Sequence, residues 1–351
     1  MPKPQAEPLL YAPTRGRSYI VKDGKIQVDP AKQHILPFVL TTEPEAFLIP
    51  GANLLGDELV AGGPVLLAGG LGAQPVAMPI DDKGPFEIIY STRFGKFTSG
   101  PNAGQSTNKY TLVLFDPAKR PLLMNREIHA GTMTGGFGSS LGAGFGTALE
   151  NAGGRPFVWP QSWFMEPEEN ESALFVAFRN LTVDSIEVHF ALHGVRYYDL
   201  KTFEEAKEKK MAMYGDSRVA WPYFYTTDTD VDLAPAPGAG SSDEFDMRIT
   251  DDADIEIFKM MKASDASFLW RLQEKSSGKR FLDSAGPGVA GAANGVHSDF
   301  GFGDGEFPFI PFETMYYEKK TKLILVLTNL DTVNRNKIFI TFACRKIHHV
   351  E

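Results

Sequence analysis

The chain carries two copies of one pattern. Residues 37–50 read PFVLTTEPEAFLIP and residues 222–235 read PYFYTTDTDVDLAP. Pro37/Pro222, Thr41/Thr226, Thr42/Thr227, Leu48/Leu233 and Pro50/Pro235 are identical, and Phe38/Tyr223, Glu43/Asp228 and Glu45/Asp230 agree in chemistry. Further blocks follow in the same order. Met78, Ile80, Asp82, Glu87 and Ile88 match Met247, Ile249, Asp251, Glu256 and Ile257; Lys119, Arg120 and Leu122 match Lys279, Arg280 and Leu282. Pro156-Phe157-Val158 matches Pro308-Phe309-Ile310, and Asn180-Leu181 matches Asn329-Leu330. Ile186, Val188, Phe190 and Leu192 align with Ile338, Ile340, Phe342 and Cys344. The offset falls from 185 to 169 to about 150, so the first copy holds extra residues in Gly-rich stretches, 51–77 and 131–154, where loops tolerate added length. Five blocks in one order make an internal duplication, and any fold must be built twice.

The repeated unit is β-rich. IEVHFAL (186–192) alternates apolar and polar residues with period two, and KIFITFAC (337–344) does so in part, Phe339 being apolar as well. ALFVAFRNL and KLILVLTNL read as strands buried on both faces or nearly so. FEIIYSTR, YTLVLFD and FLWRLQE are further strands, and FDPAKRP and QEKSSGKR are turns between strands. The 34 glycines, 24 prolines and 26 phenylalanines suit short strands joined by many turns. Each copy has room for about eight strands, the pattern of a β-sandwich or jelly roll. Its long connections favour Greek-key crossovers. The fold class expected is all-β: two tandem jelly-roll sandwiches from an internal duplication, with an N-terminal arm and one linker helix.

The helix is DLKTFEEAKEKKMAMYG, 199–215, with acids early, lysines late and Gly215 at its end. The expected division is an arm over 1–33, a first jelly roll over 34–198, the linker helix over 199–215 and a second jelly roll over 216–351. Pro2, Pro4, Pro8 and Pro13 with Arg15 and Arg17 make the arm extended. No signal-peptide hydrophobic region opens the chain, and the apolar stretch from Leu54 to Met78 is broken by Asp57, Glu58 and glycines. A soluble, non-secreted protein is expected, without a transmembrane segment. A formal net charge of -9 argues against a dominant nucleic-acid-binding face.

The residue types that carry chemistry do not converge. A two-domain cupin enzyme needs a His-x-His, Glu and His metal set on each barrel. The nearest approach is Glu187-x-His189-x-x-x-His193, on the strand face away from the core, and its aligned counterparts Phe339, Thr341 and Arg345 cannot ligate. Asp228-Thr-Asp230-Val-Asp232 resembles a calcium loop, but Leu233 and Ala239 stand where Gly and Glu are needed. The Gly-rich runs 131–146 and 285–295 contain neither GxGxxG nor a P-loop ending. No GxSxG occurs, and the single cysteine, Cys344, falls on an apolar strand face where an inert buried thiol is expected. Asp81/Asp82, Asp251/Asp252 and Glu168/Glu169 read as solvated loop acids. Trp159, Trp163, Trp221, Tyr223, Phe224 and Tyr225 are either stacking platforms for a glycan or packing within and between the sandwiches, with packing favoured. No catalytic, cofactor-binding or metal-binding residue is assigned, and no cofactor is expected.

The blocks P-[FY]-x-x-T-T-[ED]-x-[ED]-x-x-L-x-P and P-F-[VI] followed by N-L and a strand resemble bacteriophage virion proteins built from β-sandwich repeats. Over about residues 34–349 the tandem arrangement resembles the double jelly-roll capsid proteins of tailless phages. That resemblance implies a non-enzymatic virion structural protein that self-assembles through a homotrimer of pseudo-sixfold outline and contacts other virion proteins. It implies upright strands, an arm reaching a neighbour, membrane or genome, and no catalytic residues. Decoration, collar and tail proteins with a glycan- or receptor-binding role also use sandwiches and stay open beside it, as does a degenerate cupin-like enzyme. The apolar insertions 51–77 and 131–154 are expected at subunit contacts.

Overall fold

The computed structural model describes residues 19–22, 25–28, 35–42, 76–80, 84–97, 100–105, 107–116, 122–133, 156–166, 173–181, 186–211, 218–227, 231–278, 280–281, 295–304 and 308–349. The arm before residue 19, both apolar insertions apart from a few flanking residues, the Asp228–Asp230 part of the calcium-like run and most of the second Gly-rich run lie outside these residues. So do Lys119, Arg120, Lys279 and Leu282 of the third aligned block.

The first strands are β1 (Tyr19–Lys22) and β2 (Lys25–Val28), an antiparallel hairpin. Both lie within the expected arm, where YIVK and KIQV pair with each other. Then come β3 (Ile35–Thr41), β4 (Val76–Pro79), β5 (Phe86–Phe97), β6 (Tyr110–Phe115), β7 (Ile128–His129), the short helix α1 (Ala130–Met133), β8 (Phe157–Met165), β9 (Ala173–Asn180) and β10 (Ile186–Tyr197). The helix α2 (Leu200–Met211) leads to β11 (Arg218–Thr226), β12 (Asp232–Leu233), β13 (Ser242–Arg248), β14 (Asp254–Ser264), β15 (Phe268–Glu274), β16 (Arg280–Phe281), β17 (Val296–His297), β18 (Met315–Tyr317), β19 (Lys322–Asn329) and β20 (Asn336–His349).

The first half forms two antiparallel sheets of order β3-β10-β5-β8 and β4-β9-β6-β7. The second forms β11-β20-β14-β18 and β13-β19-β15-β16, with β12 added to β20 and β17 to β15. The two halves share one order. In each, the first strand pairs with the last, and the last pairs with the strand that follows the sheet change. This is the jelly roll, two facing sheets closed by Greek-key crossovers. Met78, Phe86, Tyr110, Phe157 and Phe190 are buried in the first core; Ile257, Phe268, Trp270, Leu325 and Phe342 are buried in the second.

Two details of the ladders fix how the halves correspond. In β5, Ile89 is skipped between Ile88, opposite Gly194, and Tyr90, opposite His193. In β14, Phe258 is skipped between Ile257, opposite Cys344, and Lys259, opposite Ala343. One β-bulge is thus built twice. Thr42 and Thr227 repeat a second device. Their N–H groups donate to the carbonyls of Phe190 and Ile340 at 3.1 and 3.0 Å. Their hydroxyls accept the N–H of the same two residues, each at 3.1 Å. Phe190 therefore corresponds to Ile340, Leu192 to Phe342 and Gly194 to Cys344, two residues away from the alignment read from sequence. A slip of two keeps every side chain on its own face, so alternation cannot detect it. The counterparts of Glu187, His189 and His193 become Lys337, Phe339 and Ala343.

Helix α2 starts where Asp199 accepts the backbone N–H of Thr202 at 3.1 Å, and Lys209 and Lys210 sit in its last turn. It is polar except for the stripe that carries Phe203 and Met211, which pack with Phe164 and Tyr197 on the outside of the first sandwich. Beneath it Glu87, fully buried, accepts from the Tyr197 hydroxyl at 2.7 Å and from Lys210 Nζ at 2.5 Å.

Candidate assembly interface

Strand β20 is buried on both faces. Ile338, Ile340, Phe342 and Cys344 enter the core of the second sandwich. Phe339, Thr341 and Ala343 point the other way and are also buried, because the first sandwich covers them. Phe339 breaks the period-two pattern of KIFITFAC for this reason.

The covering elements are β8, the turn of β7 and α1, and the segment 122–125. Phe224, opposite Ala343, is the centre of the contact. It lies 6.0 Å from the Phe157 ring and meets Trp159 edge-on at 5.5 Å. Its N–H donates to the Leu123 carbonyl at 2.8 Å. Asn125 reads the next backbone unit twice, accepting the Thr226 N–H at 2.8 Å and donating to the Thr226 carbonyl at 3.0 Å. Phe224, Met261 and Ala343 belong to the same continuous core as the first sandwich. Burying one such phenylalanine contributes roughly 1.5–3 kcal/mol.

Polar groups at the contact find partners across it. Lys259 Nζ donates to the Val158 carbonyl at 2.5 Å and lies over the Phe157 ring; burial lowers its pKa. Arg345 Nε donates to the Pro160 carbonyl at 3.0 Å while its guanidinium covers the Phe258 ring. The hydroxyls of Thr132 and Thr341 are 2.7 Å apart, both buried. The His129 ring packs on Phe339 at 4.7 Å, and its Nδ1 accepts the Gly131 N–H at 3.1 Å. Burial, reinforced by the charges of Arg93 and Lys109, lowers the His129 pKa to about 3, so the ring is neutral.

The residues singled out from sequence fall as follows. His193 stacks on Tyr90 at 4.6 Å and shares a hydrogen bond of 2.7 Å with Thr92; burial lowers its pKa. The side chains of Glu187 and His189 lie outside the described ones. Asp232 is held by Arg335, whose Nε donates to its carboxylate at 3.0 Å. That pair lines a polar cleft with Ser242, Asp243 and Phe245. Among the described residues, no group of three or more His, Cys, Asp or Glu side chains is placed to hold a metal ion. Cys344 is buried and its thiol pKa is raised by burial. Trp159 and Trp163 are buried and stack on one another, and Trp159 Nε1 donates to Ser91 at 3.1 Å. They are packing residues, as the sequence favoured. Among the described residues, no helix is long and apolar enough to cross a membrane. Sequence reading missed Asn125, Thr132 and Thr341. Polar residues in connecting segments give no periodic signal; only the double-faced apolar pattern of β20 pointed to a covered outer face.

No protein-family model matches the chain, and no curated protein does. Among solved structures, the chain is similar to one from a study of the atomic structure of Sulfolobus Turreted Icosahedral Virus, with TM-score 0.23 and 8% identity over 79% of this chain and 56% of that one. It is also similar to one from a study of the triple jelly roll fold and turret assembly in an archaeal virus, with TM-score 0.22 and 8% identity over 78% of this chain and 55% of that one. A third is the tandem CBM22-1–CBM22-2 domain of Paenibacillus barcinonensis Xyn10C, with TM-score 0.13 and 8% identity over 79% and 83%. The chain spans about half the length of the two viral chains. Superpositions this loose add nothing to the strand orders above.

Proposed function

We propose that this protein is a non-enzymatic structural subunit of a virion, a shell protein that self-assembles through a homotrimer. The observation that carries the reading is the contact centred on Phe224. Two jelly rolls of identical strand order are welded by an apolar contact, Phe224, Met261 and Ala343 of the second joining the core of the first, with Asn125, Lys259, Arg345 and the Thr132–Thr341 pair satisfying its polar groups. A fused pair of this kind is a rigid tile with a fixed angle between its halves, which is what a closed shell requires of its subunits. A decoration, collar or tail position in the virion fits the same architecture. The glycan reading loses its strongest residues, because Trp159 and Trp163 are buried.

The test is the absolute mass of the purified full chain by light scattering, with negative-stain images of the same peak. A trimer or a larger symmetric particle supports the shell reading. A monomer of 38.6 kDa at all concentrations overturns it.

A further inference from the structure

The contact between the sandwiches is heterologous: the first contributes one surface, here the donor, and the second a different one, the acceptor. Duplication means that each sandwich carries both. The tandem uses the donor of the first and the acceptor of the second, which leaves the donor of the second and the acceptor of the first.

The ladders identify the second donor. Phe157 pairs with Ser91 as Phe309 bridges Met260, and Trp163 pairs with Ile88 as Met315 pairs with Ile257. Val158 and Pro160 therefore correspond to Ile310 and Phe312. His129 pairs with Thr111 as His297 pairs with Leu269. Gly131 and Asp299 then donate their N–H groups to the two Nδ1 atoms, so Thr132 corresponds to Phe300. In the first sandwich Thr132 is buried in the contact, while Val158 and Pro160 enter it through their backbone carbonyls and the Val158 side chain stays half exposed. In the second, Phe300 is 76%, Ile310 64% and Phe312 fully exposed. Phe300 is thus the exposed twin of a buried contact residue, Thr132, and Phe312 the fully exposed twin of a half-buried one, Pro160.

The unused acceptor is found the same way. Phe224, Thr341, Ala343 and Lys259 correspond to Val39, Ala191, His193 and Tyr90. The first three are buried; Val39 is 49% exposed, and Ala191 and His193 are only half-buried. Helix α2 covers the end of this sheet near Val195 and Tyr197 and leaves Val39 open.

We propose that the Phe300 and Phe312 surface of one chain docks on the Val39, Ala191 and His193 surface of a second copy, repeating between chains the contact that joins the sandwiches within one. The occupant is a second copy because the fitting surface is already present, used, in this chain. A heterologous contact closes into a ring when its rotation permits. In the trimer proposed above, on which this inference rests, three copies of the contact within chains and three between chains would alternate around six sandwiches.

The test uses the full chain with Ala191→Cys and Phe300→Cys together, the twins of Thr341 and Thr132. Mild oxidation is expected to give disulfide-linked dimers and trimers on a non-reducing gel, with neither single variant cross-linking. In parallel, Phe312→Asp is expected to lower the mass by light scattering to that of one chain, with an unchanged far-ultraviolet circular dichroism spectrum because the side chain is fully exposed within the single chain. A wild type that forms oligomers, with no cross-link and no mass change in Phe312→Asp, overturns this interface and leaves the shell reading standing. A monomeric wild type overturns both.

Discussion

His129 and His297 occupy the same rung of the two sandwiches and make the same local bond, each Nδ1 accepting the N–H two residues on, at 3.1 and 3.2 Å. Yet the His129 ring is buried against Phe339, whereas a third of the His297 side chain faces solvent. Local sequence sets the turn in both halves; the neighbour that covers it differs. The duplicated molecule is asymmetric because one half is docked where its twin is open.

The first prediction concerns pH. The folded pKa of His129, about 3, lies below its usual value of 6.5, so the unfolded chain takes up the proton first. Its titration leaves stability unchanged above about pH 6.5. Below that it lowers stability by about 1.4 kcal/mol per pH unit, until the folded protein also protonates near pH 3. His129→Asn, which keeps an acceptor for the Gly131 N–H, is expected to flatten urea-derived stability between these limits by one proton's slope. Parallel curves for the two proteins would contradict it.

Phe224→Ala removes the centre of the contact. A loss of about 3–5 kcal/mol is expected, and calorimetry should resolve one unfolding transition into two as the sandwiches uncouple. A single transition at the wild-type temperature would show that the joint does not depend on this ring.

Gly194 is the first sandwich's residue beside the shared bulge. A Cβ there would stand 1.7 Å from the backbone oxygen of Glu87, an atom that cannot rotate away. Gly194→Ala is expected to cost at least the upper end of the usual 1–3 kcal/mol for overpacking, measured by chemical denaturation. Its counterpart Cys344 already carries a Cβ, so Cys344→Ala should be far milder. Equal effects would refute the steric account.

Glu87 ties helix α2 to the sheet through Tyr197 and Lys210. Glu87→Ala leaves the Tyr197 hydroxyl without its acceptor and is expected to cost about 1–3 kcal/mol. Amide exchange across residues 200–211 should accelerate while that of β19 stays protected. Unchanged exchange in the helix would mean that Phe203 and Met211 hold it alone.

Much of this was legible in the residues. The repeat, the strands β5, β6, β9, β15 and β19, the helix after β10 and the inert Cys344 all follow from periodicity and composition. The register between copies was not, because shifting β20 by two residues leaves its apolar face unchanged. Nor was the kinship of His129 and His297, whose flanking turns differ in sequence and share only a backbone geometry.

What the sequence determined by itself was the double jelly roll, since alternation, turn residues and a repeated order are local properties that each copy carries. It also announced, through Phe339, that β20 has something on its outer face. Only the tertiary structure decided what that something is. A buried face is a demand for cover, and any apolar surface of the right shape can meet it. The choice of Trp159, Phe157 and Thr132 as that cover, and the exposure of Phe300 and Phe312 in the other half, depend on where two whole sandwiches come to rest against each other.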